Sequence, residues 1–252
     1  MTTRAEARLL SKILRIGLLL AVLGQVAWSF RPTPNRALTD EERVGQELYQ
    51  ANCSTCHGLD GLGTDNGPSL AETGPAAVDF MLSTGRMPLA NPADQPLRGE
   101  PKFSPGEIEA IAAYLAALVP GGEPIPAVDT SQGDLVRGAA LFLENCAGCH
   151  GAGGSGDSVG GGQIAPSLTA ADPVQIAEAI RVGPGVMPRF GPETLDQDDL
   201  DSIARYLVWI RSNADEGGAQ LGRVGAVAEG LVAVVIGLGL LILILRLTGS
   251  KL

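Results

Sequence analysis

The feature that most constrains this chain is a pentapeptide of the form Cys-x-x-Cys-His, which occurs twice in its 252 residues. The first copy is CSTCH at 53–57 and the second is CAGCH at 146–150. The chain contains four cysteines and two histidines, and all six lie in these two motifs. Whatever the motifs bind, no other cysteine or histidine of the chain is left to contribute to it.

The spacing within each motif is typical of covalent c-type haem attachment. Two thiols three residues apart lie on neighbouring parts of one helical turn, where each can form a thioether with a haem vinyl group. The histidine after the second cysteine then lies under the iron as its ligand. The sequence therefore predicts two haems c, with thioethers at Cys53, Cys56, Cys146 and Cys149 and iron ligands at His57 and His150.

Three other uses of the motif agree less well with the sequence. A redox-active Cys-x-x-Cys pair is expected near a β-α-β pattern, which is not evident here. A structural zinc site uses four ligands, whereas each motif offers three. Disulfide pairing suits an exported chain, but it leaves both histidines without a role.

The sixth ligand of each iron has to come from another residue type. A low-spin, electron-transferring haem needs such a ligand, and methionine is the common alternative to histidine. Met87 and Met187 lie in matching Met-Pro loops of the two repeats, so we expect them to ligate the first and the second iron. Met81 has no counterpart and is expected to pack in the core, and Met1 lies in the leader. His/Met ligation raises the reduction potential and closes the iron to small substrates.

Two prolines and two arginines accompany the motifs and the methionines. Pro68 and Pro166 follow the motifs in GPSL and APSL. Each is either a turn proline or marks a backbone carbonyl that accepts the N–H of the proximal histidine and fixes its tautomer. Arg86 and Arg189 flank the methionines, and either neutralise haem propionates or are solvated.

The polar middle of the chain consists of two internal sequence repeats. GQELYQANCSTCHG matches GAALFLENCAGCHG, and IEAIAAYLAAL matches LDSIARYLVWI, in the same order. The expected domains are residues 40–119 and 137–212. A linker rich in proline and glycine joins them at 120–136, and a second linker follows at 213–223.

Helical signals dominate both units, so the predicted fold class is all-α. Ser104, Pro105 and Glu107 form a capping box at the last helix of the first unit, and Asp196 caps the last helix of the second. The acidic run at 196–201 is either a docking patch for a cationic partner or a stabiliser of the helix start, and we favour the second interpretation. Units this small bury little apolar core, so we expect the haem to fill the centre of each.

Apolar stretches lie near both ends of the chain. Residues 224–247 are long enough to cross a bilayer, which needs about 20 apolar residues, and Arg246 and Lys251 predict a cytoplasmic C-terminus. Residues 1–31 join a basic flank to a short apolar run, as in a signal peptide or an N-terminal anchor helix. In either case the haem domains lie on the extracytoplasmic side of the cell membrane, on a single-pass or multi-pass chain in contact with membrane lipid. The net charge of −10 argues against nucleic-acid binding, which uses a basic face.

The chain resembles a known family in more than its haem motifs. The stretch AAVDFMLSTGRMP at 76–88, the tail LGRVGAVAEGLVAVVIGLGLL at 221–241 and both repeats are similar to the dihaem cytochrome c subunit, or cytochrome cc, of the actinobacterial cytochrome bc complex (menaquinol–cytochrome c reductase). The resemblance runs over most of the chain beyond the leader. It implies two tandem class I cytochrome c-like domains.

The resemblance also implies a respiratory role. In that family menaquinol is oxidised at the haem b subunit, and one electron passes to the Rieske iron–sulfur subunit. The electron then crosses two haems c to an aa-type cytochrome c oxidase. The chain would be one subunit of a dimeric oxidoreductase (translocase) that forms a supercomplex with the oxidase, without a substrate-converting site of its own.

Two other functions share the haem pattern. A membrane-anchored dihaem subunit of another extracytoplasmic dehydrogenase would differ only in its partner. A dihaem peroxidase needs one haem that is open to peroxide, and the paired Met87 and Met187 argue against it.

Overall fold

A computed structural model of the protein describes residues 36–212 and 230–249. The expected N-terminal signal or anchor at 1–31 and the linker at 213–223 lie outside the described residues. The first repeat contains four helices, which are α1 (Asp40–Asn52), α2 (Ser54–His57), α3 (Gly74–Ser83) and α4 (Pro105–Leu118).

The second repeat has the same helices in the same order, with a β-hairpin added. Its elements are α5 (Leu135–Asn145), α6 (Ala147–His150), β1 (Asp157–Gly160), β2 (Gln163–Ala165), α7 (Pro173–Val182) and α8 (Gln197–Ser212). The two sequence repeats are therefore also two structural repeats.

The β-hairpin departs from the all-α expectation. Its strands pair antiparallel, with Asp157 opposite Ala165. Glycines 160–162 connect the strands with φ angles of 89°, 60° and 77°. Because glycine adopts positive φ at little steric cost, this triple glycine forms a defined turn. At the matching place in the first repeat, an isolated bridge joins Thr64 and Gly67.

In each repeat the first helix crosses the last helix at a glycine. A Cβ atom on Gly45 of α1 would lie 1.9 Å from the Ala110 carbonyl oxygen of α4. A Cβ atom on Gly138 of α5 would lie 2.0 Å from the Ser202 carbonyl oxygen of α8. Both distances are far below van der Waals contact, so the two backbones approach too closely for any side chain at these positions.

An aromatic pair lies one turn beyond each crossing. Tyr49 and Tyr114 have ring centroids 5.6 Å apart, and so do Phe142 and Tyr206. Tyr49 and Phe142 are fully buried. Tilted rings at this separation attract each other beyond the area that they bury, so each pair fixes its helices against one another next to the haem motif.

The helix starts follow the sequence expectations. Ser104 is the N-cap of α4 and Pro105 is its first residue. The backbone N–H of Ser104 donates to Glu107 Oε2 at 2.8 Å. Asp196 caps α8, since its Oδ1 accepts from the Asp199 N–H at 2.9 Å.

The acidic run at the start of α8 is part of the fold. Asp199 and Asp201 are only 5% and 6% exposed. Asp199 accepts from Arg137 Nε of α5 at 2.6 Å, and Asp201 accepts from Gln197 at 3.1 Å. The structural interpretation of these two acids is therefore confirmed.

The C-terminal segment is a single apolar helical stretch. Gly230–Thr248 spans 19 residues and is long and apolar enough to cross a membrane. It consists of a π-helical part, Ala233–Leu238, followed by α9 (Gly239–Thr248). Its large side chains are exposed, as they are in a helix that faces lipid. The described part of the expected span at 224–247 fits that expectation.

The close crossing of α5 and α8 can be tested by adding one methyl group. Gly138→Ala forces the two helices apart, so we expect a loss of about 1–3 kcal/mol in the free energy of unfolding of the second repeat. Thermal unfolding of the purified full-length chain, followed by circular dichroism, measures this loss. Gly106 of α4 is the control, because a Cβ there meets nothing within 4 Å and Gly106→Ala should not destabilise the chain. Equal effects of the two substitutions would contradict the crossing.

Candidate haem-attachment sites

Each Cys-x-x-Cys-His motif forms one helical turn that follows directly on the first helix of its repeat. The Cys53 N–H donates to the Tyr49 carbonyl at 2.8 Å, and the His57 N–H donates to the Cys53 carbonyl at 2.9 Å. The same two bonds occur in the second repeat, where the N–H groups of Cys146 and His150 donate at 2.9 Å. Both cysteines and the histidine of each motif therefore lie on a single turn, in the arrangement that two thioethers and one iron ligand require.

A loop after each motif brings a proline carbonyl to the histidine. His57 Nδ1 lies 2.8 Å from the Pro68 carbonyl oxygen, and His150 Nδ1 lies 2.9 Å from the Pro166 carbonyl oxygen. A carbonyl oxygen can only accept, so Nδ1 carries the proton and Nε2 keeps its lone pair for a metal. The structure thus brings together the two pairs of residues that the sequence suggested would act jointly.

Glycines six residues after each histidine hold these loops in place. The Gly63 N–H donates to the His57 carbonyl and the Gly156 N–H to the His150 carbonyl, both at 2.8 Å. Gly63 and Gly156 have φ angles of 90° and 82°, and a Cβ atom on either would lie within 2.7 Å of the backbone near the proline. Sequence reasoning missed these two glycines, although their equal spacing from the histidines was a signal.

The four motif thiols form no disulfide. Burial raises the pKa of Cys53 and of Cys146 to about 11, and the second cysteine of each motif contributes to the rise. Redox-active and metal-binding cysteines have lowered pKa values. Within residues 36–212 and 230–249, no three His, Cys, Asp or Glu side chains are arranged to hold a metal ion. The raised pKa values of Cys53 and Cys146 are not those of a redox-active or metal-binding thiolate.

The two loop methionines are both half-buried. Met187 packs against the core of the second repeat, and Cys146 packs against the same cluster of side chains. Met87 follows α3, where its N–H donates to the Met81 carbonyl at 3.1 Å. Met81 itself lies in α3 and is half-buried.

The two arginines beside the methionines differ sharply. Arg86 is only 8% exposed, its guanidinium lies 4.7 Å from the centre of the Phe80 ring, and its Nη1 has no hydrogen-bond partner. Burial, with the positive charge of Arg98 as a second cause, lowers the pKa of Arg86 to about 10. Arg189 has an exposed side chain and forms an ion pair with Glu123.

The unpartnered Arg86 nitrogen indicates that an anion belongs beside it. A buried charge without a counter-charge is costly, and Arg86 directly precedes Met87 in the loop. A carboxylate group could supply the missing counter-charge at this place in the loop, and a haem carries two carboxylates, its propionates. Arg86 is therefore an independent sign that the first repeat accommodates a haem.

Exposed apolar side chains near the first motif and the second Met-Pro loop also indicate that a haem binds there. Leu59 and Leu62, just after the first motif, are 68% and 61% exposed, and Val186, next to Met187, is 64% exposed. An apolar macrocycle can cover such side chains. The residues present thus fit haem c in both repeats, and a bound haem would supply a carrier for one electron.

Comparison with known proteins gives a consistent family. A family model described as "Cytochrome C oxidase, cbb3-type, subunit III" matches residues 40–115 and 133–207, one segment in each repeat. A "Cytochrome bc1 complex cytochrome c subunit" of Mycobacterium leprae is 37% identical over 234 residues, which are 87% of this chain and 80% of the relative.

Relatives with the same description come from other actinobacteria. That of Mycobacterium tuberculosis (strain H37Rv) is 36% identical over 252 residues, covering 94% of this chain and 89% of the relative. That of Corynebacterium diphtheriae is 33% identical over 235 residues, covering 85% of this chain and 84% of the relative. Among solved structures, reduced cytochrome c4 from Pseudomonas stutzeri is 22% identical and covers 66% of this chain and 96% of its own, with a TM-score of 0.22.

The contrast between the two arginines predicts different effects on the two haem potentials. Arg86→Leu removes a buried positive charge beside the first Met-Pro loop, so reduction of the first haem becomes less favourable. We expect its midpoint potential to fall by about 60 mV, which is tenfold in a one-electron equilibrium. Arg189→Leu is the matched control, and the change at the second haem should be several-fold smaller because water screens an exposed charge. A redox titration of each variant that gave equal shifts would contradict the role of Arg86.

Proposed function

Because the chain belongs to the family of cytochrome bc1 complex cytochrome c subunits, we propose that it is the membrane-anchored dihaem subunit of a respiratory, menaquinol-oxidising cytochrome bc complex. The observation that carries this proposal is the repeated histidine–proline bond. In both repeats Nδ1 is held by a proline carbonyl at 2.8–2.9 Å, which leaves Nε2 free for an iron.

The proposed cofactors are two covalently bound haems c, one in each repeat. Each would be held by two thioethers, a proximal histidine and a distal methionine. The first set is Cys53, Cys56, His57 and Met87, and the second is Cys146, Cys149, His150 and Met187.

The chain's own residues have three tasks in this function. The carbonyls of Pro68 and Pro166 orient the imidazole rings and raise their basicity as ligands. The two Met-Pro loops would supply the second ligand of each iron and would thereby keep small molecules away from it. The buried positive charge of Arg86 would offset the negative charge of a haem propionate in the first repeat. This arrangement favours electron transfer over peroxide chemistry, and we assign no substrate-converting site to this chain.

We place the subunit between two partners. Electrons would enter from the Rieske iron–sulfur subunit, which receives them from the haem b subunit, and leave to an aa-type cytochrome c oxidase. The C-terminal helix Gly230–Thr248 would anchor the haem domains on the extracytoplasmic side of the membrane, with the C-terminus in the cytoplasm. The complex would be a dimer that forms a supercomplex with the oxidase.

Purification of the native assembly tests this assignment. The chain, tagged at its C-terminus, is isolated from membranes in a mild detergent, with untagged membranes as the control. We expect a b-type haem subunit and a Rieske subunit to co-purify, together with quinol-dependent reduction of the haems c. Recovery of a different dehydrogenase in their place would contradict the proposal and favour the other electron-transfer function.

A further inference from the structure

The two repeats contact each other through α3 of the first and α7 of the second. Gln175, in the first turn of α7, donates from Nε2 to Ser83 Oγ of α3 at 3.2 Å. Its Oε1 accepts from Nη2 of Arg98, which belongs to the first repeat. Gln175 is only 8% exposed, so these polar contacts lie inside the interface.

A buried acid lies one turn further along α7. Glu178 is fully buried, and neither of its carboxylate oxygens has a hydrogen-bond partner. Asp79, which is half-buried, lies on α3 one turn before Ser83, the partner of Gln175. It therefore faces Glu178 across the interface, and its charge acts on that acid. Burial raises the pKa of Glu178 to about 10, and the charges of Asp79 and Asp172 contribute, as does a hydrogen bond to Asp79 when Glu178 is protonated.

The charged groups nearby do not neutralise Glu178. Asp172 is the N-cap of α7 and is itself acidic. Arg98 bonds to Gln175. Arg181, one turn beyond Glu178, donates to the carbonyls of Phe190 and Leu195.

The helix packed behind α7 also leaves Glu178 without a counter-charge. The cations of α8 are Arg205 and Arg211, and they donate to the carbonyls of Gly133 and Ala171. Its buried acids, Asp199 and Asp201, bond to Arg137 and Gln197. Two carboxylates can only accept hydrogen bonds, so Glu178 and Asp79 cannot bond to each other while both are ionised. A single proton turns one of them into a donor and removes the repulsion.

We propose that Glu178 and Asp79 share one proton across the interface and thereby form a proton-dependent latch between the two cytochrome c repeats. With the proton bound, Glu178 donates to Asp79 and joins α7 to α3. Without it, two negative charges face each other at the interface, with the carboxylate of Glu178 fully buried, and the interface opens. This inference goes beyond the proposed function, since it does not depend on which partners exchange electrons with the chain.

The direction of the pH dependence follows from linkage. Burial in the closed interface raises the pKa of Glu178 to about 10, whereas an exposed glutamate has its ordinary pKa of 4.5. Between these values the open form has lost a proton that the closed form retains. The opening equilibrium should therefore rise about tenfold per pH unit in this window.

Infrared spectroscopy of the full-length, haem-loaded chain in detergent tests for the proton. We expect the wild-type protein at pH 7 to show the C=O stretch of a protonated carboxylic acid that Glu178→Gln lacks, and this band should disappear near pH 10. Asp79→Asn should lower the pH at which it disappears. Glu109→Gln, which replaces an exposed acid of α4, is the control and should retain the band. Identical spectra of the wild type and Glu178→Gln at pH 7 would overturn the proposal.

Hydrogen exchange tests the latch itself. The amides of α3 and α7 are compared in the wild type and in Glu178→Gln at the same pH, so that the intrinsic pH dependence of exchange cancels. Glutamine has the size of glutamate and still donates to Asp79. We expect the wild type to exchange progressively faster than the variant from pH 7 to pH 9, by about tenfold per unit. A constant ratio of the two rates would show that the proton does not hold the repeats together.

Discussion

The close crossing of the first and last helices is the constraint on which each repeat depends. At Gly45 and Gly138 the backbones meet without a side chain between them. The Cys-x-x-Cys-His turn follows at the end of the same helix, so the crossing also fixes where the motif lies relative to the core. A larger residue at either glycine would move the attachment site as well as weaken the packing.

Exposed apolar side chains and one buried charge lie beside the Cys-x-x-Cys-His motifs and the Met-Pro loops. Leucines after the first motif and Val186 beside the second Met-Pro loop remain exposed, while Arg86 is buried without a counter-charge. These features are unfavourable in a protein without a cofactor. An apolar macrocycle that carries carboxylates would cover these apolar side chains and offset the charge of Arg86. The fold and the cofactor therefore have to be understood together.

The repeats are similar in topology, but their electrostatic surroundings differ. Arg86, directly before Met87, is buried, whereas Arg189, two residues after Met187, is paired at the surface. The first repeat also has a hydroxyl bond that the second lacks, since Tyr49 donates to the Gly58 carbonyl at 2.7 Å and Phe142 has no such group. The two repeats of this chain therefore provide two different electrostatic environments.

Much of the site could be predicted because it depends on local spacing. The helical turn of each motif, the caps at Ser104 and Asp196 and the histidine–proline pairs all involve short separations or a repeated pattern. The hairpin was missed because a glycine-rich turn resembles a loop in sequence. The contact of Asp79 with Glu178 could not be predicted, since it depends on how the two repeats pack. The glycine crossings look like weak helix positions until the partner helix is seen.

The central claim is that the chain carries two haems whose irons are each closed by a methionine. Near-infrared absorption of the oxidised, purified protein measures the iron–sulfur bond directly, once the haem content has been determined. We expect about two haems per chain, and Met87→Ala and Met187→Ala should each remove about half of the methionine band. An unchanged band in either variant, or one haem per chain, would contradict the claim.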